Sequence, residues 1–176
     1  MMKKSGYWIL GVGLAIILAV AAGSCSKEPP PQTLKDYTLD SLDSVLTKTG
    51  VELDPKVSAD GKGSIKILGT GLMTIPLFEA GAIKSDNVKL LLTYKVKTDN
   101  MSEPTFLQLK LHFPVKGDVV SDEPDDVVSG TKDWSDQKVV YKLKKGQLPD
   151  DVFINLVIQG QGTVWIDDVK LVAKPL

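Results

Sequence analysis

The residues best equipped for chemistry lie in strand-like runs in the second half of the chain. Asp167 and Asp168 interrupt a β-branched and aromatic run, Thr163-Val164-Trp165-Ile166-Asp167-Asp168-Val169-Lys170-Leu171, launched by the turn Gly160-Gln161-Gly162. Strand side chains alternate between faces, so Trp165, Asp167, Val169 and Leu171 are expected on one face, and Val164, Ile166 and Asp168 on the other. Either way a carboxylate falls on a face that otherwise reads as core. Such a group must accept backbone hydrogen bonds, meet a cation, or sit on a bulge. A structural role is therefore expected first. His112, the single histidine, shares a strand face with Phe106, Gln108 and Lys110, while Phe153 shares one with Asn155 and Gln159. A solitary histidine without cysteine partners is a poor transition-metal site. Trp134 follows an acidic stretch, where it either pins the loop or offers an open ring. There is no G-x-S-x-G elbow, P-loop or dinucleotide fingerprint. Asp125-Asp126 and Asp150-Asp151 are loop neighbours rather than carboxylates facing across a cleft. No enzyme is expected from this inventory.

The elements that must hold these residues are strands. Val88, Leu90, Leu92, Tyr94 and Val96 alternate with Lys89, Thr93, Lys95 and Lys97, with Leu91 as the exception. Leu107 to Phe113, Lys138 to Lys144 and Asp151 to Gln159 alternate in the same way. Earlier strands are expected at Val51 to Val57, broken by Pro55, at Ser64 to Leu68, and at Leu72 to Phe78, where Pro76 requires an edge or a bulge. Ala59-Asp60-Gly61-Lys62-Gly63 is a tight turn. Leu34 to Lys48 reads as an opening segment with one helical turn, and Lys116 to Asp133 as a long acidic loop. About eight strands at regular spacing predict an all-β, antiparallel β-sandwich or jelly roll.

The 176 residues carry 21 lysines, no arginine and 22 acids. Arginine is the usual bidentate reader of phosphate, sulfate and carboxylate, and no basic patch exists, so nucleic acid is excluded as a partner. Lys3 and Lys4 precede an uncharged, mostly apolar stretch from Gly6 to Gly23, which ends in Ala22-Gly23-Ser24-Cys25. A basic start, an apolar stretch and small residues describe a secretory signal. The run into the single cysteine resembles a bacterial lipobox, with Ala22 where leucine is usual. That resemblance implies cleavage before Cys25 and lipidation of Cys25; an uncleaved anchor helix is the alternative. Residues 1–24 are thus expected as signal, 25–33 as lipidated cysteine and proline-rich spacer, and 34–176 as the β domain. Ser26 after the cysteine implies, by resemblance to Gram-negative sorting rules, the outer membrane, facing the periplasm or the surface. With no second cysteine, the fold must hold by its core alone.

Asp60-Gly61-Lys62-Gly63-Ser64-Ile65-Lys66-Ile67 and Val164-Trp165-Ile166-Asp167-Asp168-Val169-Lys170-Leu171 resemble the early and last strands of galactose-binding-like β-sandwiches, the jelly roll of many carbohydrate-binding modules. Between them, Leu77-Phe78-Glu79, His112-Phe113-Pro114, Ser129-Gly130-Thr131 and Asp133-Trp134 resemble an uncharacterised group of bacterial envelope proteins with this fold. The resemblance implies a structural Ca²⁺ at Asp167, with Glu52 a second candidate ligand from its place before the Asp-Gly turn; calcium needs six to eight oxygens, so others must join them. The similar group carries an acidic and an aromatic residue where this chain has Gln108 and Lys110, and an aromatic and an arginine where it has Val120 and Asp122. Sugar binding in such modules uses aromatic platforms and amide or carboxylate hydrogen bonds. The expected ligand residues are Phe106, Gln108, His112, Trp134, Phe153 and Asn155. The expected function is a non-catalytic, lipid-anchored module binding a glycan or another envelope partner. The alternatives are an accessory subunit of a membrane-bound complex and, more remotely, a hydrolase.

Overall fold

The structure, a computed structural model, describes residues 30–124 and 126–176. Cys25 and the signal or anchor segment expected before it lie outside the described residues. Among the described residues no helix is long and apolar enough to cross a membrane.

Among the described residues nine strands form: β1 (Gln32–Tyr37), β2 (Val51–Asp54), β3 (Ser64–Thr70), β4 (Met73–Glu79), β5 (Val88–Phe113), β6 (Gly117–Val120), β7 (Val128–Leu143), β8 (Asp151–Ile158) and β9 (Gln161–Pro175). They make one antiparallel sheet in the order β2-β3-β9-β5-β8-β4, with β1 beside β9 and with β6 and β7 beside β5. The sheet closes into a sandwich because β5 belongs to both layers. Its first half, Val88 to Asp99, pairs with β9, and its second half, Thr105 to His112, pairs with β8. Between them Asn100 adopts φ 53° and the strand turns a corner. The Leu107 amide then donates to the Tyr94 hydroxyl at 3.0 Å, a contact that a straight strand of thirteen intervening steps forbids. At this corner a Cβ on Gly162 would come within 2.6 Å of the Met101 Cα, so glycine is required there.

The core fills the space between the layers. Ile65, Ile67, Leu90, Leu92, Leu107, Leu109, Leu111, Ile154, Leu156, Val164, Ile166 and Leu171 are all buried in it. Tyr37 stacks on Phe78 with ring centroids 4.5 Å apart and donates its hydroxyl to the Glu79 carbonyl at 2.9 Å, fastening β1 to β4. Each fully buried aliphatic side chain contributes about 1.5–3 kcal/mol, enough for a domain without disulfides to hold.

The alternation of β7, β8 and both halves of β5 is as the sequence implied, and Pro76 sits on the edge strand β4 beside a register shift. Three readings are corrected. The opening segment begins with β1 paired to β9 and has no helical turn. The acidic stretch is not one loop: it contains β6 and the first residues of β7, leaving 121–124, 126 and 127 outside the strands. The last strand does not alternate strictly. Lys95 pairs with Asp167 and Thr93 with Lys170, so Asp168 and Val169 together face Tyr94 in a bulge, with Asp168 at φ 50°. The extra residue flips the parity, and Val164, Ile166, Val169 and Leu171 all face the core. Trp165 is consequently turned away from the core and half-buried, its indole N–H donating to the Asp54 carboxylate at 3.0 Å.

Candidate functional site

The outward side of the second layer collects most of the expected ligand residues. β8 turns Val152, Ile154, Leu156 and Ile158 to the core, so Phe153, Asn155 and Val157 face the other way. Register places Phe106 opposite Val157, Gln108 opposite Asn155, Lys110 opposite Phe153, and His112 opposite Asp151. On the far side of β8, Pro76 stands opposite Asn155 and Glu79 opposite Phe153. On the far side of β5, Val120 stands opposite Lys110 and Asp118 opposite His112. The result is a four-strand patch of amides, charges and one half-buried ring.

Several side chains on this face are sheltered although they point away from the main core. Phe106 is only 4% exposed and pairs with buried Val157, and neither belongs to the main core cluster. Phe106 therefore supports the floor of the face and offers no free ring to a ligand. Asn155 is 5% exposed, and its Oδ1 has no hydrogen-bond partner. A buried acceptor left unpaired costs about 1–3 kcal/mol. Gln108, opposite it, donates from Nε2 to the Ser121 carbonyl at 3.3 Å. Phe153 is half-buried, with the Lys110 ammonium 5.9 Å from its ring centroid.

At the lower end of the face the charges are linked. Lys110 Nζ lies 2.8 Å from Asp118 Oδ2, and His112 Nδ1 lies 2.7 Å from Asp118 Oδ1. His112 Nε2 is 4.0 Å from Asp150 Oδ1. The Asp118 hydrogen bond holds the imidazole above its ordinary value, and Lys110 and His112 hold Asp118 below the usual carboxylate range. Trp134 is not part of this patch. It lies on β7 beside Ser135, which pairs with Val96 in the first half of β5.

Asp167 occupies a different environment. It is 0% exposed, and its oxygens accept from the Ala59 and Asp168 amides, both at 2.9 Å, and from the Ser58 hydroxyl at 3.4 Å. Burial pushes its carboxyl up, while the Ala59 and Asp168 amides pull it back. Asp54 accepts from the Lys56 and Val57 amides at 3.0 and 3.1 Å, and the Ser64 hydroxyl donates to the Val57 carbonyl at 2.6 Å. These oxygens together shape the loop between β2 and β3. Glu52 stands apart from them: it is exposed, opposite Lys66, and takes no part in the contacts of Asp167. Asp167 thus meets N–H and O–H donors, and among the described residues no three His, Cys, Asp or Glu side chains cluster as a metal site. Asp167 and Glu52 are not brought together in this arrangement.

The sandwich is similar to the CBM22-1 xylan-binding domain of Paenibacillus barcinonensis Xyn10C, at 12% identity over 82% of this chain and 96% of that one, with a TM-score of 0.61. It is similar also to the CBM22-1-GH10 modules of Clostridium thermocellum Xyn10B, solved with xylohexaose, at 13% identity over 80% of this chain and 28% of that one, TM-score 0.57. A third neighbour, a xylan-binding domain from CBM22, matches at 9% identity over 72% of this chain and 83% of that one, TM-score 0.52. No protein-family model matches the chain, and no curated protein matches it in sequence. The fold is thus a β-sandwich of the carbohydrate-binding-module type.

Two features of the patch escaped sequence reasoning. Lys110 and Glu79 flank Phe153 through register that alternation alone does not set, and Phe106 is buried although it shares a face with polar residues.

Proposed function

We propose that this chain is a non-catalytic glycan-binding module, anchored to the cell envelope through a lipid on Cys25, which binds its ligand across the outward face of β5 and β8. The observation that carries the reading is the unpaired Oδ1 of Asn155, an acceptor sheltered from water between Gln108 and Pro76. Sugar hydroxyls are donors that can satisfy it once the neighbouring side chains shift to admit them, and they then recover the cost of leaving it unpaired. Phe153 supplies the apolar surface against which a pyranose ring stacks once the mobile stem of Lys110 moves aside. Gln108, Glu79 and His112 supply further donors and acceptors around it. Two fold neighbours described as xylan-binding domains support the class of ligand, as does a third that was solved with xylohexaose. The anchor and the envelope location rest on the sequence before residue 30.

The test is calorimetric titration of the full chain, in detergent, with a panel that includes xylohexaose, galactan fragments and peptidoglycan fragments. We expect saturable binding to at least one member, weakened about tenfold or more in Phe153→Ala. A folded chain that binds none of them, or a Phe153→Ala variant that binds as tightly as the parent, overturns the proposal.

A further inference from the structure

Apart from the face bearing Asn155, the surface offers a second distinctive feature. β7 runs for sixteen residues and pairs on one side alone, with β5; among the described residues its other edge has no strand beside it. Over Lys132 to Leu143, roughly 35 Å of strand, every second residue therefore turns its amide and carbonyl outward without a ladder partner. The other strands at the margins are short, as β2 and β6 are at four residues each, or carry a proline, as β4 does at Pro76. Long open edges are unusual unless blocked, because they template another strand.

This edge borders a groove. A cavity of about 710 Å³ lies between residues Asp136 to Val140 of β7 and the segment that carries Asp122, Glu123 and Asp126. A second cavity, of about 390 Å³, shares Asp126 and Gln137 with it and continues beside Lys132 to Ser135. The two make one trough along the open edge. Its charge is mostly negative, with Asp122, Glu123, Asp126, Asp133 and Asp136 against Lys132 and Lys138. Asp122, Glu123 and Asp126 are exposed and enter no ion pair among the described residues, and Lys138 is the single cation lining the larger cavity. Asp136 and Asp133 are held by Lys95 and Lys97 at 2.8 and 2.7 Å on the side towards β5.

We infer that the open edge of β7 is a docking site for an extended, lysine- or arginine-bearing segment of a partner protein, which adds to the sheet as a strand. The backbone ladder supplies affinity, and the carboxylates of Asp122, Glu123 and Asp126 select basic side chains at alternate positions. A second copy of this chain fits poorly, since pairing two β7 edges brings two acidic segments together. Val140, exposed at 43%, gives the added strand an apolar contact near the far end of the trough. The inference is independent of the glycan proposal, because it uses another strand and the other half of β5.

The probe is a nine-residue peptide alternating lysine and valine, with a matched peptide in which glutamate replaces lysine. Both are added to the full chain, and amide hydrogen exchange is followed across residues 128–143. The expected result is slowed exchange within β7 with the lysine peptide, little with the glutamate peptide, and binding weakened about tenfold in the double variant Glu123→Lys, Asp126→Lys. Both positions are exposed, so the variant should keep the parent's thermal midpoint, which is measured alongside. The inference is overturned if the lysine peptide leaves β7 exchange unchanged, if the double variant binds it equally well, or if β7 is protected without peptide as protein concentration rises, which would make the edge a self-association surface.

Discussion

Two buried polar side chains, Asp167 and Asn155, stand in different layers of one sandwich and are treated in opposite ways. Asp167 is fully buried and its two oxygens meet two amides and a hydroxyl, so its donors and acceptors balance. Asn155 is nearly as buried, yet its Oδ1 meets nothing. A buried acceptor that is satisfied holds a loop in place; one that is unsatisfied gains from any donor that reaches it. In the function proposed above, the contrast separates a residue that builds the fold from one that serves a ligand, although both are polar groups within a strand.

The comparison breaks most visibly at Asp167. Asp167→Ala strands the Ala59 and Asp168 amides and frees the loop between β2 and β3, so we expect a loss of about 2–3 kcal/mol in denaturant unfolding. Ligand affinity measured well below the unfolding midpoint should stay unchanged, because the loop is remote from β8. The opposite pattern is expected at Phe153. Its half-buried ring makes Phe153→Ala cost about 1 kcal/mol or less in stability while weakening glycan binding about tenfold or more, which unfolding and titration of one sample decide.

A third and smaller effect sharpens the lower end of the face. His112 has a raised value in the folded state, so its contribution is fully present below the unfolded value and fades as pH rises through the folded one. Asp118 has a lowered value, so its contribution is present above the unfolded value and fades as pH falls through the folded one. The pair therefore secures β6 best in mildly acidic solution, between the ordinary carboxylate and imidazole ranges. The protection of the Gly117 to Val120 amides, taken relative to their intrinsic exchange at each pH, should be greatest there and fall towards alkaline pH, and His112→Ala should flatten that profile on the alkaline side. Exchange that is insensitive to His112 would detach the pair from the hairpin.

Much of this was legible in the sequence, for reasons that are local. Half-buried strands announce themselves by alternation, and Leu107 to Phe113 and Asp151 to Ile158 do so clearly, which also put Gln108, His112, Phe153 and Asn155 on a common outward side. Pro76 marked an edge because it cannot donate to a ladder. Three things were hidden. β1 buries little besides Tyr37, so it carries no periodic signal. β5 continues through Asn100 and Pro104, residues that read as breakers, because β8 and β9 hold either side of the corner. The bulge at Asp168 reverses parity within a strand, which turned Trp165 outward. Phe106 shared a face with polar residues and looked exposed; its place beside buried Val157 depends on long-range pairing with β8. Trp134 and Glu52 were each placed near the right turn and belong to other rows of the sheet.

The most direct test is Asn155→Leu, measured for stability and for glycan affinity on the same preparation. Leucine nearly matches the shape of asparagine and removes the unpaired acceptor. The account predicts stability unchanged or raised by about 1 kcal/mol, together with a loss of glycan affinity of about tenfold or more. A variant that is destabilised by several kcal/mol, or that binds glycan as well as the parent, would contradict the claim that Asn155 is held for a ligand.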